Sequence, residues 1–377
     1  MNFEFSTANR IIFGNGTLAQ AAPAAAQFGR RALVATDPNT ERARPLLDAL
    51  TKAGVKFELF PLSGEPTVAA ACAAAERARV KQCDLTIGFG GGSVIDLAKA
   101  AAALMTNDGD PLDYLEVIGK GLTLSNRPAP CIAIPTTAGT GAEVTKNAVL
   151  ASPEHKVKVS MRHPLMAPDV AIVDPECTLS MPPSVTAATG LDALTQLLEA
   201  FICKKANPMT DGFCREGLSR AVRSLRRAFE NGSDIKVREE MALASLFGGL
   251  ALANAGLGAV HGFAGPLGGM FNAPHGMVCA ALLPHVMRAN LAAVQNLPVR
   301  ARFDEFARMT GGSTAGDGIN WLTGLCRDLQ VPPLSSFGVT ANDFPSIVEK
   351  SKNSSSMKVN PVELTEVELT GILVAAV

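Results

Sequence analysis

The sequence predicts an α/β domain followed by an all-α domain, residues 1–181 forming the first and 182–377 the second. Three observations lead there. A chain of 377 residues exceeds one ordinary core. Up to about Asp174, short apolar runs alternate with helical patterns, as βαβ units on a parallel sheet do. After Pro182-Pro183 the character changes, and helical periodicity continues almost unbroken to Val377.

Taken in order, residues 3–13 alternate and carry aromatic and β-branched side chains, which predicts an edge strand or hairpin. An Ala-rich helix over about 17–28 ends at Gly29, a common terminator. RALVATD is a buried-type strand ending on Asp37, followed by a helix over about 41–53, the strand VKFELF and an Ala-rich helix from Thr67. DLTIGFGGGSVIDLAKAAA reads as strand, glycine turn and helix, and CIAIPTTAGTGAEVT as strand and a Thr/Gly-rich loop. Further strands are expected over 144–149, 157–161 and 170–174. The second domain should hold helices near 190–204, 208–229, 235–254, 276–290, 299–310, 317–329, 342–351 and 365–376.

Composition narrows the classes of function. A net charge of −1 supplies no electrostatic footprint for nucleic acid or an anionic membrane. No run is long and apolar enough to predict a membrane span, the best stretch around 278–284 being short. MNFEFSTANR lacks a basic n-region and an apolar h-region, so no signal peptide is expected. Eight cysteines without a CxxC pair favour reduced thiols in the cytoplasm over a disulfide frame or zinc ribbon.

Several stretches carry chemistry. Gly90-Gly91-Gly92-Ser93, between strand and helix, can present backbone N–H groups to a pyrophosphate; the alternative is a tight turn needing glycine for positive φ. The triplet departs from GxGxxG, and the acidic candidate lies upstream of it. That residue, Asp37, can accept from both ribose hydroxyls and repel a 2′-phosphate, which favours NAD over NADP, or it or Asn39 can cap the next helix. Thr136, Thr137 and Thr140 offer hydroxyls to phosphate or nicotinamide, or simply form a polar turn. In GAVHGFAGPLGGMFNAPHG, His261 and His275 stand among small and apolar residues in glycine-rich loops, and TGLDALTQLLEA puts Asp192 and Gln196 on one helix face. Asp192, Gln196, His261 and His275 make a four-position divalent site, with the amide of Gln196 a poorer ligand for Zn²⁺ or Fe²⁺ than an imidazole. Separately, each could be an ordinary core residue, and His155, His163 and His285 read as surface or structural.

Taken together, GGGS, PTTAGTGAEVT, VDPECTLSMPPSVTAATGLDALTQLLEA, GAVHGFAGPLGGMFNAPHG and SSSMKVNPVELT resemble the iron-containing (group III) alcohol dehydrogenases over nearly the whole chain. The resemblance implies a Rossmann-like N-terminal domain and a helical C-terminal domain, the architecture shared with dehydroquinate synthase, with the active site in the cleft between them. It implies reversible hydride transfer between a nicotinamide and an alcohol or aldehyde, commonly in a dimer. Carried over residue by residue, Asp37 takes the adenine ribose, Gly91, Gly92 and Ser93 the pyrophosphate, and Asp96, Thr136, Thr137, Thr140, Thr145, Lys158 and Leu179 complete the cofactor pocket. The family's metal quartet is one Asp and three His; Asp192, His261 and His275 match it, and Gln196 stands where the remaining His belongs. The family's further histidine, four residues after the one matching His261, is Gly265 here, which leaves the proton to water, the ribose hydroxyl or Lys158. GEPT (64–67) replaces the frequent Pro-Asn-Pro-Thr. The expectation is an NAD(H)-dependent enzyme acting on a small alcohol or aldehyde, with Fe²⁺ or Zn²⁺ on that site and an apolar lining from Phe247, Leu250, Asn254 and Phe271. The alternatives are a metal-free reductase of the maleylacetate reductase kind, in which His261 or His275 polarises the carbonyl, a dehydroquinate synthase-like lyase, and a nucleotide-binding protein without chemistry.

Overall fold

The computed structural model describes residues 2–155, 157–271 and 273–377. They form two compact units, one of residues 5–137 and 141–179, the other of residues 2–4, 138–140 and 180–377.

The first unit is a parallel sheet with helices on both faces. Its elements are β1 (Arg10–Phe13), α1 (Ala21–Phe28), β2 (Arg31–Thr36), α2 (Arg44–Lys52), β3 (Lys56–Pro61), α3 (Val68–Val80), β4 (Leu85–Gly90), α4 (Gly92–Thr106), β5 (Cys131–Pro135), β6 (Asn147–Ser152), β7 (Val157–Arg162) and β8 (Val170–Val173). Six strands run parallel in the order β1-β8-β5-β4-β2-β3, while β6 and β7 form a separate antiparallel hairpin. The inner strands are continuous apolar runs because both faces are covered. On β2, Val34 packs with the α1 and α2 side (Ala25, Leu46, Leu50), while Leu33 and Ala35 pack with the α3 and α4 side (Ala71, Ala74, Leu97).

Strand order turns about between β2 and β4. From β2 the chain crosses to β3 on one side, and from β4 to β5 on the other. The carboxyl ends of these two neighbours therefore open the crevice in which open α/β sheets bind ligands. Asp37 follows one end and Gly91 the other. Glycine here serves close approach: a Cβ on Gly90 would lie 2.7 Å from the Val94 Cβ, and one on Gly88 3.0 Å from the Ala98 Cβ. None of residues 90–92 has a positive φ, and Gly91 sits at φ −71°. The conformational reason for the triplet is thus set aside.

The N-terminal strand is shorter than the alternation predicts. Only Arg10–Phe13 pairs, because its partner β8 is itself four residues long, and Phe3 is left exposed.

The second unit is helical: α5 (Pro183–Ile202), α6 (Pro208–Glu230), α7 (Ile235–Asn254), α8 (Ala259–Phe271), α9 (His275–Ala293), α10 (Leu297–Met309), α11 (Ala315–Asp328), α12 (Phe344–Lys352), α13 (Ser355–Lys358) and α14 (Glu366–Ala376). α5 lies at its centre against α6, α7 and α9. It begins at Pro183 rather than near 190, since proline at the first helical position lacks only an N–H that has no helical partner anyway. Asn207 with Thr210, and Thr365 with Glu368, close reciprocal caps at the starts of α6 and α14.

α8 corrects the sequence expectation of glycine-rich loops. Despite Gly262, Gly265, Gly268, Gly269 and Pro266 it is a helix, because Val260, Phe263, Ala264 and Leu267 form a buried stripe that outweighs weak propensity. α9 corrects another expectation. Among the described residues it is the single helix that, taken alone, reaches the length and apolarity of a membrane span, and 56% of that stretch is buried within the protein.

A buried cation fixes the Thr-rich loop. Lys99, midway along α4 and 1% exposed, donates to Ala142 O (2.9 Å), Thr145 Oγ1 (3.0 Å) and Asn147 O, and pairs with Asp96 at 2.9 Å. Replacement by methionine strands these acceptors and a partly buried carboxylate. Lys99→Met should lower stability by about 3–5 kcal/mol, read as a reduced urea midpoint at unchanged slope.

Candidate active site

α5 presents Asp192, Gln196 and Glu199 at i, i+4 and i+7, one face of the helix. α8 supplies His261, while α9 supplies His275 as its first residue and Cys279 one turn on. Asp192 Oδ1 lies 3.3 Å from His261 Nε2 and 3.6 Å from His275 Nε2; Cys279 Sγ lies 3.9 Å and 3.7 Å from the same two nitrogens. One donor atom from each of the four falls within 4.8 Å of all the others. The His261 side chain is 8% exposed and that of His275 37%, so the cluster has one open side.

Three contacts set these positions. Glu199 accepts from His261 Nδ1 at 2.6 Å and from Val260 N at 2.7 Å, which leaves the Nε2 lone pair of a neutral His261 facing the cluster. Asn360, in the closing motif, accepts from Ala259 N at 3.0 Å and is held by Asn290 on α9. Gly258 is required between them: a Cβ there would meet Glu199 Oε1 at 2.7 Å and Asn360 Oδ1 at 2.9 Å. Gly276 likewise lets the start of α9 approach α5, where a Cβ would lie 2.3 Å from Ala188 O.

Charge is tightly coupled. Burial pushes the Asp192 carboxyl up, but His275 and His261 outweigh it and hold it low. Burial pushes His261 down, yet Cys279, Asp192 and Glu199 raise it well above its ordinary value. The Cys279 charge, opposed by burial and helped by Asp192, raises His275. Burial would raise the Cys279 thiol, and the two imidazoles bring it down. Asp192 Oδ1 is buried and has no hydrogen-bond partner, a state that a bound cation would relieve. A carboxylate, two imidazoles and a thiol fit a divalent ion.

Gln196 faces Asp192 with its nitrogen: Nε2 donates to Asp192 Oδ2 at 3.1 Å, and Oε1 is buried without a partner, next to Gly248. Gly265 has nothing within 4 Å of where its Cβ would be. Of the proposed lining, Leu250 is buried in the core, Asn254 donates to Leu250 O, and Phe247 stacks against Phe213. Phe271 packs on the same core.

In the α/β unit, Asp37 does not cap the following turn; Asn39 occupies the cap position and makes no side-chain bond. Asp37 Oδ2 pairs with Arg42 at 3.0 Å, while Oδ1 is buried and unpaired, as a carboxylate awaiting hydroxyl donors would be. Gly91 leads into α4, whose first N–H groups, at Gly92 and Ser93, have no helical partner and no side-chain cap. A Cβ on Gly91 would meet only Thr137, at 3.5 Å. Thr136 is buried, its N–H bonded to Gly90 O. These features fit a dinucleotide at the β2–β4 crevice. Other expected contacts are engaged within the protein. Asp96 accepts from Val149 N and pairs with Lys99, Thr145 is bonded to Lys99, and Lys158 pairs with Glu65 at 2.6 Å. Leu179 is 38% exposed at the end of the Pro175–Thr178 turn. Thr140, with Ala138 and Gly139, packs in the helical unit, where Gly139 lies against Thr189. His163 caps the Pro164–Met166 turn, His155 bonds Ser152, and His285 is held down by burial and Arg288.

Sequence reasoning passed over Glu199, Cys279, Lys99 and Asn360. The first two were detectable, Glu199 by its i+7 spacing from Asp192 and Cys279 by its i+4 spacing from His275. Lys99 and Asn360 act across long sequence separations that leave no local pattern.

The doubly wound sheet with its open glycine turn suits a nucleotide, and the buried His/carboxylate cluster of the helical unit suits a divalent ion. Comparison with known proteins agrees. Residues 8–175 match the iron-containing alcohol dehydrogenase model, and residues 186–377 match the C-terminal model of the Fe-containing alcohol dehydrogenase family. A 1,3-propanediol dehydrogenase of Klebsiella pneumoniae is 36% identical over 365 residues, covering 91% of this chain and 90% of that one. The crystal structure of a 1,3-propanediol oxidoreductase superposes with a TM-score of 0.93 at 34% identity, covering 100% of both chains. That of the sulfoacetaldehyde reductase from Bifidobacterium kashiwanohense in complex with NAD⁺ gives 0.90 at 29% identity, covering 100% of this chain and 99% of that one. The chain belongs to the iron-containing alcohol dehydrogenase family.

One buried carboxyl in the Thr-rich loop makes stability depend on pH. Burial, opposed by a backbone hydrogen bond and by Lys99, pushes Glu143 up to about 7 from an ordinary 4.5. Because the folded value is the higher, its contribution is complete below about 4.5 and is lost as pH rises through about 7. Glu143→Gln should therefore match wild type near pH 4.5 and exceed it by about 3 kcal/mol at pH 8, measured by urea denaturation at both pH values.

Proposed function

We propose that this oxidoreductase transfers hydride between NAD(H) and a small alcohol or aldehyde, with a divalent ion, Fe²⁺ or Zn²⁺, on Asp192, His261 and His275. The observation that carries the assignment is the convergence of Asp192 Oδ1, buried and without a hydrogen-bond partner, with two imidazole nitrogens at 3.3 and 3.6 Å. When bound, the ion supplies Lewis acidity to the substrate oxygen and the nicotinamide supplies or takes the hydride. The relatives named for 1,3-propanediol and sulfoacetaldehyde support a short substrate with a primary alcohol or aldehyde.

The chain's own residues have distinct tasks. Asp37 accepts the adenine ribose hydroxyls through its free Oδ1 and disfavours a 2′-phosphate. The N–H groups of Gly92 and Ser93 at the start of α4 take the pyrophosphate, and the open face of Gly91 lets it approach. Thr136, Thr137 and Thr140 orient the nicotinamide side, while Leu179 completes the cofactor pocket. Asp96 and Thr145 act on the cofactor indirectly, through the Lys99-held loop. His261 and His275 would hold the ion, and the half-open His275 marks the side from which substrate arrives. The proton passes through water, the ribose hydroxyl or Lys158, the last only once its pair with Glu65 opens. The free thiols support a reducing, cytoplasmic setting, and the family resemblance supports a homodimer. The divide is set between residues 181 and 182.

The decisive experiment is NADH oxidation by chelator-stripped enzyme on short aldehydes, with and without added Fe²⁺ or Zn²⁺. Rescue by metal is expected, and His261→Ala should cut the rescued rate by about 100-fold or more while NADH binding persists. Equal activity without metal would move carbonyl polarisation onto His261 or His275 and overturn the metal role. Asp37→Ser should reduce the preference for NAD over NADP in kcat/KM by about tenfold; an unchanged ratio would remove Asp37 from the ribose site.

A further inference from the structure

The cluster has a donor that the sequence pattern did not supply. We propose that Cys279 is the fourth protein ligand of the ion, and that Gln196 is not a ligand but a hydrogen-bond donor to Asp192. The proposal rests on the divalent-site reading above and names the donor set that reading leaves open.

Geometry carries it. Bond lengths of about 2.3 Å to sulfur and 2.0–2.1 Å to nitrogen or oxygen put tetrahedral ligand atoms about 3.4–3.6 Å apart. The separations here are 3.3 and 3.6 Å from Asp192 Oδ1 to the two imidazoles, and 3.9 and 3.7 Å from those imidazoles to Cys279 Sγ. Cys279 is buried on the same helix as His275, four residues on, so α9 places both donors on one side. An independent observation points to a cation: Asp192 Oδ1 faces both imidazoles from a side chain 3% exposed and has no hydrogen-bond partner.

Gln196 is oriented for another task. Its Nε2 donates to Asp192 Oδ2 at 3.1 Å, and its Oε1 lies beside Gly248. Turning the amide over would set its oxygen against the Asp192 carboxylate, two acceptors at hydrogen-bond distance. As placed, it holds Oδ2 and leaves Oδ1 for the ion. Charge agrees: within the ligand set, one carboxylate, one thiolate and two neutral imidazoles balance a divalent ion. A thiolate in the set also shifts selectivity toward softer ions, Zn²⁺ over Fe²⁺, relative to oxygen and nitrogen donors alone.

The test begins with the full-length wild-type protein loaded with Zn²⁺ or Co²⁺, metal content being measured by mass spectrometry after dialysis. Zinc-edge X-ray absorption should show one sulfur at about 2.3 Å, and the Co²⁺ form a near-ultraviolet thiolate-to-cobalt band. Cys279→Ser should lose the band and bind Zn²⁺ at least about 100-fold more weakly, beyond the loss typical of a ligand's hydrogen-bond partner. Gln196→Ala should keep the band, its affinity falling about 10-fold. One ion per chain with no sulfur in the wild-type spectrum would overturn Cys279 as a ligand while leaving the divalent site standing. No retained ion at all would overturn both. The wild-type spectra decide the matter even if the serine variant fails to fold.

Discussion

Much of the helical unit's chemistry depends on one buried carboxylate. Glu199 reaches from α5 to the first turn of α8, accepting from Val260 N and from His261 Nδ1. The first bond satisfies an orphan N–H at a helix start, where no side chain of the preceding Gly258 could. The second chooses the tautomer of a neutral His261 and aims its other nitrogen at Asp192. Removing water from this spot makes both bonds strong, and would make an unpartnered carboxylate equally costly. Capping, tautomer and ligand geometry are therefore one constraint.

Around it, small residues do the spacing. Gly258 admits Glu199 and Asn360 together, and Gly276 lets α9 begin against the backbone of α5. Asn360 and Asn290 complete the collar around the start of α8 through reciprocal amide bonds. The α/β unit solves an equivalent problem with the opposite charge. Lys99, buried in α4, gathers the carbonyls of Ala142 and Asn147 and the hydroxyl of Thr145, so that a loop of glycine and threonine has a defined course. In both units the residues that would meet ligand are held by a buried ion bonded to backbone.

How far the sequence spoke depended on the range of the interaction. Alternating strands and helices, the glycine turn and the spacing of Asp192 from Gln196 are local, and each was legible. The loop expectation fails at α8 because four glycines and a proline suppress helix propensity, while the 260, 263, 264, 267 stripe supplies the burial that restores the helix. Of the two sequence readings of the 90–92 triplet, the φ requirement does not hold, and the glycine ending β4 is needed for packing on Val94. For Cys279 the sequence offers only the i+4 spacing from His275, with no CxxC partner, and its other neighbours, Asp192 and His261, lie on α5 and α8.

What the chain's own pattern determined is the class of fold, the family and the residue types available to cofactor and metal, because periodicity and motif spacing are written along the backbone. Tertiary structure alone decided which donors converge. It brought Cys279 beside His261 and His275, turned the nitrogen of Gln196 to Asp192, and left Asp192 Oδ1 without a partner. Gln196 and Asp192 share α5, and Cys279 and His275 share α9, but bringing α5, α8 and α9 to one point takes side-chain packing and close backbone approach, which no single segment of sequence encodes.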